Sequence, residues 1–298
     1  MAARLVSVIA LIGGATASVD VARGGALPVL RFRGGASTYP APVRYNYESM
    51  RVTTPQPQPI VEEPTMSDAE RVYVTQQFEK PQVRLAFLRK VYSLVFSQLV
   101  LTAAIIYALR TVPGLLPGIM QRLGMSVGLL PIVPLLLLGF TSSGQGATSP
   151  LAYFLLLAFT CFEGLAVGAI TWAFPTALIM KAAGATAIAT GGLTTYALTT
   201  KRDFTASTGI LFSALLGITF LGLLQLFLGG DLLMTMRISL GLVVFCAYLV
   251  VNTQMMMGGN KKRQLRPNEH IMAAVTIYTD IIQIFLHVLA SMARSQND

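Results

Sequence analysis

The sequence predicts an all-α membrane protein, folded as a bundle of seven transmembrane helices. Only 12% of its 298 residues are charged and 54% are hydrophobic, with a mean hydropathy of +0.63, whereas soluble domains carry about 25% charged residues. Seven apolar segments are each long enough to cross ~30 Å of hydrocarbon. From Leu85 onward only six acidic residues remain, and two of them, Glu163 and Asp280, lie inside apolar segments.

The first 38 residues are predicted to be a targeting leader. Arg4 precedes a short apolar run at 5–12, and small residues follow at 15–18, as in a secretory signal peptide. The six arginines up to Arg51, against two acids, are equally typical of an organelle transit peptide, and a disordered tail is the remaining alternative. Residues 39–84 are predicted to be a Pro-rich disordered linker and N-terminal tail, because six prolines between 40 and 64 leave no packable core.

The membrane domain is predicted to cover residues 85–292, with a C-terminal tail at 293–298. Its second segment contains Pro131 and Pro134, which membrane helices tolerate where neighbours satisfy the freed carbonyls. Gly164 and Gly168 form a GxxxG pair, which predicts close helix packing. The seven segments, joined by short loops, are 87–109, 123–140, 151–173, 178–199, 205–228, 232–256 and 269–292.

Basic residues near the segment ends predict the orientation of the bundle. Nine lie on the side of the N-terminal tail, which therefore should face the cytosol, stroma or matrix. A cleaved signal peptide would predict the opposite orientation. The five basic residues on the other side are Arg110, Arg122, Lys181, Arg237 and Arg294.

Asp280 is the strongest polar signal inside the predicted membrane domain. Thr276, Gln283 and His287 lie at i−4, i+3 and i+7 from it, on the same helix face. Such a face should point into the bundle or into a wet cavity. It fits an ion or proton pathway, and it also fits a hydrogen-bonded structural clamp. His287 is interpreted as a hydrogen-bonding member of this stripe, with a proton relay as the alternative.

Asn252 and Glu163 are the other candidate pathway or gate residues. Asn252 lies six residues before Gly258, and Asp280 lies eleven after Glu269; these spacings correspond to depths of roughly 9 Å and 16 Å. Because the two segments are antiparallel neighbours, tilt could bring the Asn252 amide to the Asp280 carboxylate. Glu163 is either a second pathway carboxylate or a hydrogen-bond donor between helices.

The sequence does not predict an enzyme or a cofactor-binding protein. It contains no GxSG motif with a partnered histidine, no pair of intramembrane aspartates, no phosphate loop and no HExxH motif. Cys161 and Cys246 lack metal-ligand spacing, so no metal site is expected. The scattered basic residues form no basic domain, so nucleic acid is not an expected partner.

Four separated stretches are distinctive, namely "FLRKVYSLVFSQLVLTA", "LTTYALTTKRDFT", "NTQMMMGG" and "PNEHIMAAVTIYTDIIQIF". In this order, over about residues 85–292, they resemble the Bax-inhibitor/Lifeguard family of multi-pass membrane proteins. The resemblance implies a seven-helix bundle of the Bax-inhibitor type and a role in restraining cell death. It also implies calcium leak across an internal membrane, such as that of the endoplasmic reticulum, the Golgi or another organelle. In some members, two aspartates on the last two helices share a proton and close the pore.

The resemblance also identifies where this chain departs from the family. Asp280 matches the family's aspartate on the last helix, whereas Val251 and Asn252 replace Tyr and Asp of a "YDTQ"-like motif. Glu163 resembles an acidic position in the third helix of some members. The loop "TSSGQGATSP" lacks the basic residues that some members carry there.

The resemblance implies a channel or leak protein for Ca²⁺ or another cation, and the departures predict that its pH gating is weakened. The alternative is a non-conducting regulator that acts through partner proteins, with membrane lipid as the surrounding medium in either case.

Overall fold

The computed structural model describes residues 81–142, 149–257 and 269–296. The predicted leader, nearly all of the predicted linker and the basic loop at 258–268 lie outside these residues. The helices of the described part are α1 (Pro81–Thr111), α2 (Leu115–Leu123), α3 (Ile132–Ser142), α4 (Pro150–Thr171), α5 (Thr176–Thr199), α6 (Thr208–Leu228), α7 (Asp231–Met257) and α8 (His270–Arg294). Short 3₁₀ turns at Gly124–Leu129 and Thr205–Ser207 complete the described elements.

The distribution of side chains is that of a membrane protein. Large apolar side chains face outward, with Phe96 68%, Ile188 80% and Phe227 83% exposed. Polar side chains such as Gln98 and Asn252 are buried. Such an apolar surface is compatible with lipid and would aggregate in water. The chain is therefore a multi-pass helical membrane protein.

Six helices of the described part are long and apolar enough to cross a membrane. The predicted segment at 123–140 differs from expectation, because it is not one straight helix. A sharp bend of 82° separates Leu115–Leu123 from Ser126–Thr141, and Gly124 at the bend has a positive φ of 55°. The bent pair makes a seventh crossing only if it is counted as a single span.

Helix α8 occupies the centre of the bundle and packs against α1, α3, α4, α5 and α7. Its inner core includes Tyr278, whose ring meets Phe159 of α4 edge-on at a centroid distance of 5.9 Å. Helix α6 packs mainly on α7 and leaves Ile210 and Phe220 facing outward.

The predicted close packing at the GxxxG pair is confirmed. Helix α1 lies directly on α4 there, so that a Cβ atom placed on Gly164 would lie 2.9 Å from Cδ1 of Ile105. A Cβ atom placed on Gly168 would overlap Cδ1 of Leu109. A residue larger than glycine at either position would therefore require the Ile105 or Leu109 side chain to move.

Candidate functional site

Asn252 on α7 and Asp280 on α8 form a buried polar pair. The Asn252 Nδ2 donates a hydrogen bond of 2.6 Å to Asp280 Oδ2, and each residue is only 5% exposed. The hydrogen bond expected from the depth of the two residues is therefore present. Its position follows from the antiparallel packing of α7 on α8, which brings the end of one helix level with the first half of the other.

The pair has a defined chemical capacity. The Asn252 amide has both donor and acceptor atoms, whereas an ionised carboxylate only accepts. In the observed arrangement the amide N–H₂ group covers one carboxylate oxygen. Rotation of the Asn252 amide would instead bring its Oδ1 beside the Asp280 carboxylate. The amide oxygen and a carboxylate oxygen could then contact one cation together. A site with one carboxylate holds Ca²⁺ weakly, because Ca²⁺ takes about six to eight oxygen ligands and gains from their charge.

Two other side chains of α7 lie within electrostatic range of Asp280, namely Cys246 and Tyr248. Cys246 is partly buried, and so is Cys161 of α4; both are free thiols. Within the described ranges there is no group of three or more His, Cys, Asp or Glu side chains that could hold a metal ion.

Glu163 belongs to a different polar cluster, between α1, α4 and α8. It is 7% exposed and interacts electrostatically with Tyr278 of α8. The Tyr278 hydroxyl is hydrogen-bonded to Thr102 Oγ1 of α1 at 2.8 Å. Since Tyr278 and Asp280 are two residues apart, they point roughly 200° apart around the helix axis. The structure thus places the three candidate gate residues in two groups on opposite sides of α8.

Two other members of the predicted stripe, Thr276 and His287, hydrogen-bond the backbone of their own helix. Thr276 Oγ1 donates to the Met272 carbonyl oxygen at 2.8 Å. His287 Nδ1 hydrogen-bonds the Gln283 carbonyl oxygen at 2.7 Å. Both Gln283 and His287 are buried, as expected for an inward face. Their role in supporting Asp280 stays a prediction.

Gln254 is a candidate that sequence reasoning did not single out. Its side chain is 1% exposed and clamps the α5–α6 connection from both sides. Its Nε2 donates to the Arg202 carbonyl oxygen, and its Oε1 accepts from the Phe204 N–H, each at 2.8 Å. The sequence "VNTQ" contained a signal for this contact. Gln254 follows Asn252 by two residues, so it faces another side of α7 and must contact a different neighbour. One turn of α7 therefore contacts both the buried Asp280 carboxylate, through Asn252, and the basic loop that contains Arg202, through Gln254.

Comparison with known proteins places this arrangement in context. Residues 84–297 match the family model described as "Inhibitor of apoptosis-promoting Bax1". The chain is 36% identical over 214 residues to protein lifeguard 4 of mouse, covering 70% of this chain and 84% of that protein. It is 31% identical over 214 residues to the Golgi anti-apoptotic protein of vaccinia virus strain Lister, with the same coverage. It is 30% identical over 223 residues to human protein lifeguard 3, covering 72% of this chain and 71% of that protein.

Proposed function

The chain belongs to the Bax inhibitor/Lifeguard family, and on that basis we propose that it restrains cell death from an internal membrane by leaking Ca²⁺ or another cation. The cell-death role is supported by the names of the family and of the viral Golgi anti-apoptotic protein. The same name supports a Golgi or related internal membrane. The proposed protein is a conductor and not an enzyme.

The observation that carries the cation proposal is the position of Asp280. This carboxylate lies on the central helix, 5% exposed, with the Asn252 amide as a hydrogen-bond partner. Ionisable groups at such a position are costly in a membrane and mark ion pathways in many proteins. The amide rotation described above gives the pair a simple way to expose two oxygens to a passing cation.

Weakened pH gating is proposed from the identity of Asn252. Two neighbouring carboxylates titrate as a coupled pair, because both cannot easily be ionised together. An amide at position 252 does not titrate, so this coupling is missing. Conduction should therefore change less with pH than in a protein with two aspartates at this position.

The test is calcium flux into liposomes that contain a calcium-sensitive dye, measured over a range of pH. Asp280→Asn should reduce flux to the level of empty liposomes, and Asn252→Asp should make the flux more dependent on pH. Asp231→Asn is the matched control, because Asp231 is 91% exposed at the start of α7. Folded protein without flux would refute the conduction proposal, and an unchanged pH profile in Asn252→Asp would refute the gating proposal.

A non-conducting regulator is the second candidate, and the short Asn252–Asp280 hydrogen bond favours it. A buried bond of 2.6 Å between neighbouring helices is also what a structural clamp requires. In that case the protein would act by binding partner proteins. Protection of cells from death by the wild-type protein, without flux in liposomes, would support this candidate over the channel.

A further inference from the structure

Arg237 is a buried cation that the proposed cation pathway does not use. It is 1% exposed and lies six residues after the start of α7, roughly 9 Å along the helix. Arginine remains charged in proteins, and an uncompensated charge inside a membrane bundle is costly. Its position therefore calls for compensation by neighbouring groups.

The protein groups around Arg237 meet that need only in part. Its Nε donates a hydrogen bond of 2.7 Å to Gln225 Oε1 of α6, but Gln225 is neutral. Its Nη1 is buried and has no hydrogen-bond partner. Within residues 81–142, 149–257 and 269–296, Arg237 forms no ion pair. Asp231 at the same end of α7 pairs with Arg294 at 3.6 Å and is 91% exposed.

The carbonyl end of α6 offsets some of the charge. Gln225 lies three residues before the end of this helix at Leu228, where the macrodipole is equivalent to about half a negative charge. This partial charge falls off within the last turn and is spread over several carbonyls. It leaves the Nη1 hydrogen bond unmade.

His287 of α8 supplies a second polar atom without a partner at this place. Its ring packs against α7, 5.3 Å from the Phe245 ring centroid, and lies within electrostatic range of Arg237. Gly241, one turn after Arg237, makes room for it, since a Cβ atom there would overlap Nε2. Helices α6, α7 and α8 thus all contribute to one buried cluster.

The hydrogen bond at His287 Nδ1 determines whether Nε2 of the same ring donates or accepts. The Gln283 carbonyl oxygen can only accept, so the proton of the neutral ring lies on Nδ1. The buried Nε2 then presents a lone pair and has no donor. The cluster therefore holds a charged donor without an acceptor and an acceptor without a donor.

We propose that Arg237, Gln225 and His287 form a binding site for a small oxyanion that carries a hydroxyl proton, of which bicarbonate is the simplest example. An anionic oxygen would accept from Arg237 Nη1, and the hydroxyl group would donate to His287 Nε2. Such a ligand satisfies both atoms and compensates the guanidinium charge. A halide would satisfy Arg237 alone.

Burial identifies the source of this oxyanion. At 1% exposure, Arg237 presents almost none of its surface to the outside of the bundle, which favours a small free ion over a bulky lipid phosphate. The site is also separate from Asn252 and Asp280, because His287 lies seven residues beyond Asp280, roughly 10 Å along α8. The ligand is thus a free ion inside the bundle.

The experiment measures the unfolding temperature of the full-length protein in detergent without phospholipid. Bicarbonate and chloride are titrated separately, at matched pH and ionic strength. A ligand that binds the folded state raises the unfolding temperature with its concentration. We expect bicarbonate to give a saturating rise that chloride does not match.

Arg237→Met should abolish the bicarbonate response. Replacement of a poorly compensated buried charge by an apolar side chain of similar length is often neutral or stabilising, so this variant should fold. Arg110→Met is the matched control, because Arg110 hydrogen-bonds the α4–α5 connection instead of Gln225 or His287, and this variant should keep the response.

Three results would overturn the proposal. The first is a wild-type protein that responds equally to bicarbonate and chloride. The second is the absence of any bicarbonate response in the wild-type protein, a result that requires no variant. The third is an unchanged response in Arg237→Met.

Discussion

The contact between α1 and α4 predicts a specific loss of stability in Gly168→Ala. A Cβ atom at this position would overlap Cδ1 of Leu109 and would lie in ordinary van der Waals contact with the Ile106 backbone, 3.9 Å away. Leu109 is 1% exposed, so its side chain lies among packed neighbours. The methyl group must therefore turn the Leu109 side chain or push the two helices apart.

The size of the effect follows from two opposing contributions. Overpacking of a tight contact costs about 1–3 kcal/mol, whereas replacement of a helical glycine by alanine gains about 1 kcal/mol. Gly168→Ala should therefore lose up to about 2 kcal/mol, equivalent to a fall of up to roughly 8 °C in unfolding temperature for a domain of this size. Gly184→Ala should gain stability, since nothing lies within 4 Å of a Cβ atom there.

The assay is unfolding in mixed micelles of Gly168→Ala, Gly184→Ala and Leu109→Ala, together with the double variant Gly168→Ala/Leu109→Ala. Removal of the Leu109 side chain makes room for the new methyl group. The double variant should therefore be more stable than the sum of its single changes, by about 0.5–3 kcal/mol. Equal stability of Gly168→Ala and Gly184→Ala, or simple additivity in the double variant, would refute the close approach of α1 and α4.

Three further predictions concern polar contacts. The change of Asn252 and Asp280 to alanine, singly and together, should reveal a coupling of about 0.6–1.7 kcal/mol in a double-mutant unfolding cycle, and additivity would contradict the 2.6 Å bond. Arg110→Ala should destabilise the protein by about 1–3 kcal/mol in the same assay, because Arg110 donates to two carbonyls and one hydroxyl at the α4–α5 connection. Gln254→Ala should speed tryptic cleavage after Arg202, since both side-chain bonds to that loop are lost; an unchanged cleavage rate would contradict the clamp.

Features set by residue type and spacing were predictable from the sequence. Long apolar segments placed the membrane helices, because a backbone in lipid must satisfy its own hydrogen bonds. The spacing of Gly164 and Gly168 predicted the helix contact. Depth along two antiparallel helices predicted that Asn252 meets Asp280. Each of these inferences needs only local geometry and the direction of neighbouring segments.

The side of the bundle that a residue faces, and the place where the chain bends, could not be predicted in the same way. Glu163 and Asp280 both lie inside the membrane domain, but Glu163 faces Tyr278 on the other side of α8. Arg237 was interpreted as a flanking charge near a segment end, although it is buried at α6 and α8. The bend after Leu123 depends on a positive φ at Gly124, which composition alone does not reveal.

The central position of α8 has a consequence for how the protein is made. This helix follows α1 to α7 in the chain, yet it packs against five of them. The ribosome therefore delivers the core of the bundle after the helices that surround it. Until α8 enters the membrane, Thr102 lacks its partner Tyr278 and Asn252 lacks its partner Asp280. Biosynthesis of this protein thus includes an interval in which helices already inserted must be kept from pairing wrongly, and the last helix ends that interval.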